Sequence, residues 1–111
     1  MTDYEISRKL ALAIGWSEND IASFDGHRIS VYIGNHLERA AFGPWRVFDY
    51  RNSSVIWPIA EKYGAFPENW GSSWRALCWN ASKGMYSFSD EEPTAAKAVA
   101  MAVIGAGERG S

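Results

Sequence analysis

The stretch WRALCWNASKGMYSFS, residues 74–89, decides the fold, because it reads as two strands and a turn whose register says what lies beneath the sheet. Side chains on a strand alternate between faces, so the pairing of the two arms sorts the residues into two sets. With NASKG as the loop and Trp79 opposite Met85, one face carries Trp74, Ala76, Cys78, Tyr86 and Phe88. The other carries Arg75, Leu77, Trp79, Met85, Ser87 and Ser89. A slip of one residue mixes the two sets, and a core selects the wholly apolar face, so the first register is the expected one. Trp74 is then core and Trp79 sits on a mixed face, which helices can still cover.

Working outward, three helices surround strand-like segments. Thr2 and Glu5 form a capping-box pattern ahead of Ile6, Leu10, Ala13 and Ile14, and Gly15 offers a left-handed stop, giving a first helix over 3–14. In HRISVYIGN, Ile29, Val31 and Ile33 alternate with Arg28, Ser30 and Tyr32, and Gly34-Asn35 reads as a hairpin turn. The return strand is expected in LERAAF, and WRVFDY after Gly43-Pro44 is again strand-like. Asn52 or Ser53 can cap a second helix with Ile56, Ile59, Ala60 and Tyr63 on its apolar face and Gly64 as its stop. Pro58 within it predicts an early kink or a separate first turn. The third helix is expected from near Pro93, with a stripe of Ala96, Val99, Ala100 and Val103 and an end at Gly105. The pattern is that of an α+β fold, a single small domain with a mostly antiparallel sheet and three helices, spanning 1–111 with 105–111 as a loose tail.

Composition narrows the function classes. A chain of 111 residues with 47% hydrophobic and 22% charged residues matches ordinary globular usage and needs no second domain. A net charge of −2 argues against a broad phosphate-tracking surface and against dense acidity alike. MTDYEISRKL carries charges where a signal peptide needs an apolar run, and no apolar segment approaches the roughly 18 residues that span a bilayer. The lone Cys78, inside a strand pattern, reads as a buried structural thiol in a reducing cytoplasm.

With these segments in place, the chain resembles the small proteins of tailed bacteriophages and prophages grouped as NinX-like or phage ABA-sandwich proteins. The resemblance lies in YEISRKLALAIGW, FDYRNSSVIWPIAEKYG, the strand opening WRA, and DEEPTAAKAVAMAVIGA, in that order, over a little more than half the chain. It implies an α/β/α sandwich and a phage or prophage origin, hence the cytoplasm of a bacterial host. It carries over no catalytic residue, and it does not extend to residues 17–43.

No enzyme constellation emerges from the residues. His27 and His36 flank a strand with Asp25 and Glu38 nearby, but the spacing fits no metal signature, and opposite ends of a hairpin are too far apart to share a ligand shell. Both read as surface histidines. Ser72, Ser73 and Cys78 lack a nucleophile turn, and Gly105, Gly107 and Gly110 follow a helix instead of opening one. Asp90, Glu91 and Glu92 are explained by the positive end of the third helix. No metal or cofactor is expected.

The excess is in tryptophan, six in all, a residue that with arginine anchors protein interfaces and also stacks on flat ligands. Trp16, Trp57 and Trp74 are assigned to the core. Trp70, in a polar turn beside Gly71, and Trp45, after Gly43-Pro44 with Arg46 beside it, join Arg75 and Trp79 as candidate binding residues. The expected function is that of a phage accessory protein that binds and modulates a host protein without catalysis, by occlusion through an aromatic and arginine patch. The alternative is a binder that sequesters a nucleotide-like signal between tryptophans and arginines, which needs a concave pocket. A small hydrolase using the histidines is the weakest reading.

Overall fold

Three helices and two three-stranded antiparallel sheets make up the described part of the chain, an α+β fold. The structure is a computed structural model that describes residues 2–32, 45–80 and 84–110. The contacts fall into two compact units, residues 1–49 and 50–111, and each has its own helix-on-sheet packing.

In the first unit, α1 (Asp3–Ala13) begins at the expected capping box: Thr2 Oγ1 accepts the Glu5 N–H at 3.2 Å and Glu5 Oε1 accepts the Thr2 N–H at 3.4 Å. The chain turns away at Gly15, whose φ of 108° is open to glycine at little cost, and the Trp16 N–H donates back to the Ala11 carbonyl at 3.0 Å. Ile6, Leu10 and Ala11 are buried, so Ala11, not Ala13 or Ile14, completes the apolar stripe. A 3-10 turn at Glu18–Asp20 leads into β1 (Ile21–Ala22), β2 (Ile29–Tyr32) and β3 (Trp45–Phe48), in sheet order β1-β2-β3. Ile29 and Val31 face inward as the alternation predicts, together with Phe48 opposite Ile29. Ser30 is buried as well, so β2 is covered on both sides at that point. The expected Gly34-Asn35 turn, Ile33 and the LERAAF strand lie outside the described residues.

The second unit opens with α2 (Ser53–Tyr63), capped by Asn52, whose Oδ1 accepts the Ser54 N–H at 3.0 Å, and stopped at Gly64 with φ 63°. Ile56, Ile59 and Ala60 are buried as expected. The helix runs through Pro58 without a separate first turn. The carbonyl that loses its donor belongs to Ser54, which is exposed in the first turn and can be hydrated. Trp57, expected in the core, is 40% exposed, because it stands one position off the Ile56 stripe.

Three strands follow, β4 (Ala65–Asn69), β5 (Trp74–Asn80) and β6 (Met85–Phe88), in that order across the sheet. β4 has no counterpart in the sequence reading, which takes the segment before Trp70 as a loop, and it carries Pro67 at its centre. Its place at the sheet edge is where proline is tolerated. α3 (Ala95–Gly110) starts after Thr94, whose hydroxyl accepts the Lys97 N–H at 3.2 Å, and packs over β4 and β5. It continues through Gly105, past the expected end and into the stretch expected as a loose tail. Ala98, Val99, Ala102 and Val103 are buried with Ala65, Ala76 and Cys78, so the core beneath this sheet consists of small side chains.

The register of β5 and β6 differs from the expected one by one residue: Trp79 pairs with Tyr86, not Met85. Trp74 and Trp79 keep opposite faces, but Tyr86 and Phe88 move to the side of Leu77 and Trp79, and both are exposed. The assumption that the apolar face must be the core fails because both faces are rich in apolar residues. The alanine-rich helix approaches closely over Ala76 and Cys78, which leaves the aromatic residues to the other side.

Candidate functional site, an open aromatic sheet face

The pairings assemble the site directly. Phe66 lies opposite Leu77, and Leu77 opposite Phe88, so one row crosses all three strands. Trp79 and Tyr86 form the next row, with ring centroids 5.0 Å apart at 69°. Glu68 and Arg75 form the row on the other side. With about 3.3 Å per strand residue and about 4.8 Å between strands, the strip from Arg75 to Trp79 measures about 13 Å by about 10 Å. Phe66, Trp79, Tyr86 and Phe88 are each 45 to 54% exposed. Contiguous apolar exposure of this kind marks interaction surfaces in soluble proteins.

The turn from β4 to β5 sets Trp70 at one end of the strip. The Trp70 N–H donates to the Ser73 carbonyl at 2.8 Å, Asn69 Oδ1 accepts the Gly71 N–H at 2.9 Å, and Gly71 takes φ 87°. Trp70 meets Phe88 edge-on at 6.4 Å and carries the Arg75 guanidinium 5.0 Å above its ring, while remaining 52% exposed. Arg75 Nη2 reaches Glu91 Oε1 at 3.4 Å, and its Nε is enclosed with no hydrogen-bond partner. The guanidinium is therefore held by an indole plane and a carboxylate.

Trp70, Arg75 and Trp79 thus lie on one surface. Trp45 and Arg46 belong to the first unit, and as neighbours on β3 they face opposite ways. Trp45 is half-buried between Phe24, at 5.3 Å, and Tyr32, at 5.2 Å, while Arg46 stands across from Val31. Phe66, Tyr86 and Phe88 are not among the sequence candidates: no strand is expected before Trp70, and the expected register puts Tyr86 and Phe88 in the core. The core assignments also change, since Trp16 and Trp74 are only half-buried.

The acidic run has other duties than the helix end. Glu92 exchanges backbone hydrogen bonds with Trp74 at 2.7 and 2.8 Å and pairs with Lys97 at 3.5 Å, and Glu91 holds Arg75. Cys78 is buried, its thiol directed at the Tyr63 carbonyl at 3.6 Å, and burial raises its pKa above the ordinary thiol value. His27 is exposed, and Asp25 beside it accepts the backbone N–H groups of His27 and Arg28 at 2.8 and 2.9 Å. His36 and Glu38 lie outside the described residues. Among the described residues, no three His, Cys, Asp or Glu side chains gather as a metal site would require, and no helix is long and apolar enough to cross a membrane. No family model, curated protein or solved structure matches the chain.

Proposed function

We propose that the chain is a binding protein that docks a macromolecular partner on the open face of its second sheet, without catalysis. The observation that carries the reading is the row structure of that face: Phe66, Leu77 and Phe88 across three strands, with Trp79 and Tyr86 beside them and Trp70 at the end, all on a sheet packed against α3. Aromatic residues with an arginine supply most of the binding energy in protein interfaces, and strands already paired in a sheet present them without the cost of ordering a backbone. In the phage or prophage setting that the sequence resemblance suggests, the partner is a host protein whose surface this face occludes. Exposed rings set in rows across three strands favour that partner over a nucleotide-like ligand, which needs an enclosing pocket.

The test compares capture from a bacterial lysate by the wild-type chain and by Trp79→Ser/Phe88→Ser, both checked for native circular dichroism. A protein retained by the first and released by the second is the expected outcome. Equal retention by both counts against the face as the docking site.

A further inference from the structure

We infer that the segment docked on this face is a cationic polypeptide, one that places lysine or arginine among apolar anchors. The inference rests on the docking reading above and adds the chemistry of the partner. At the Trp70 end of the strip stand Glu68, Asp90 and Glu91 with one guanidinium, that of Arg75. Glu91 is engaged with Arg75, whereas the carboxylates of Glu68 and Asp90 have no ion pair or hydrogen bond among the described residues. Glu68 is on the open face by register, opposite Arg75, and Asp90 lies two residues beyond Phe88.

The molecule already shows how such a cation is held here. Arg75 rests 5.0 Å over an indole while a carboxylate takes its Nη2 at 3.4 Å. The exposed rings of Phe66 and Phe88, two residues along their strands from Glu68 and Asp90, offer a second cation the same combination of π-face and carboxylate, and Trp79 and Tyr86 at the far end serve as apolar anchors. The same charges argue against a nucleic acid, which would bring phosphates against an excess of carboxylates.

The experiment selects random linear peptides displayed on a carrier against the full wild-type chain at low salt, then measures synthetic copies in solution. Enrichment of Lys or Arg with Leu, Phe or Trp is the expected result. Binding should fall at least about tenfold on Trp79→Ser/Phe88→Ser, several-fold on Glu68→Gln/Asp90→Asn, and progressively with added salt. Tyr86→Thr replaces the double variant if that one fails to fold. Selected peptides that are neutral or acidic, yet are lost on Trp79→Ser/Phe88→Ser, overturn the cationic inference and leave the docking face standing. Peptides that bind that variant as tightly as wild type overturn both. Failure to enrich any sequence, tighter binding of oligothymidylate than of the basic peptides, or a dimer in sedimentation that the double substitution abolishes each overturns the inference as well.

Discussion

Asp25, together with the Ser23 hydroxyl, which accepts the Gly26 N–H and donates to the Arg28 carbonyl, holds the loop between β1 and β2. Asp25 accepts the N–H groups of His27 and Arg28 and pairs with the Arg28 guanidinium at 3.2 Å, and these donors, the Arg28 N–H foremost, lower its pKa from 3.8 to about 2. A depressed carboxyl favours the folded loop wherever it is ionised, so its contribution is full above the unfolded value of 3.8 and is lost as pH falls through about 2. The backbone amide shifts of His27 and Arg28 should therefore titrate together near pH 2. A midpoint near 3.8 would mean that the loop does not hold the carboxylate. The tryptophans divide at the same scale. Trp74 is half-buried and its backbone is locked to Glu92, so Trp74→Ala should cost about 2 to 3 kcal/mol, below the range for a fully buried tryptophan. Trp70, exposed in its turn, should cost about 1 kcal/mol or less on replacement by alanine. Denaturant melts of the two variants that gave equal losses would contradict this division.

Among the elements, local signals are legible where a single chemical group decides. The Thr2–Glu5 capping box, the Asn52 cap and the left-handed Gly64 each fix a helix end by one or two hydrogen bonds; the first and last stand where the sequence puts them, and Asn52 is one of the two caps it offers. Decisions that depend on a neighbouring element were not legible. The strand around Pro67 depends on its place at the sheet edge, and the β5–β6 register depends on how closely α3 approaches the sheet. Of the candidate site, Trp70, Arg75 and Trp79 were visible because their faces follow from β5 alone, while Phe66, Tyr86 and Phe88 depend on strand partners. Gly105 illustrates the same limit: glycine near the end of an apolar stripe reads as a stop, yet α3 continues through it. A Cβ built at Gly105 meets nothing within 4 Å, and its φ is not in the left-handed region, so alanine fits without strain. Gly105→Ala should stabilise the protein by about 0.5 to 1 kcal/mol, through helix propensity and a less flexible unfolded chain. A melt at or below the wild-type midpoint would place Gly105 outside a formed helix.

For the molecule as a whole, the informative feature is a division of labour between the two sides of one sheet. The side toward α3 is filled by Ala65, Ala76 and Cys78, which hold the fold, and the other side displays Phe66, Trp79, Tyr86 and Phe88, which the folded chain leaves about half uncovered. That arrangement predicts a separation of stability from binding. Three fully buried aromatic side chains replaced by smaller ones would cost about 3 to 5 kcal/mol each, enough together to unfold a domain whose whole stability is about 5 to 15 kcal/mol. On a half-exposed face the loss per residue is the fraction of area already buried plus the cross-strand ring contacts, each about 0.5 to 1.5 kcal/mol. Threonine keeps the strand preference of the positions it enters, which limits the backbone cost. Phe66→Thr/Trp79→Thr/Phe88→Thr should then lose about 3 to 6 kcal/mol, about half of what three buried aromatics would cost, remain folded in the absence of denaturant, and lose partner binding. Urea melts with an unchanged slope and a lower midpoint, beside a binding assay that reads zero, are the expected pair of results. If the triple variant is unfolded in the absence of denaturant, the face is part of the core and the docking reading fails with it.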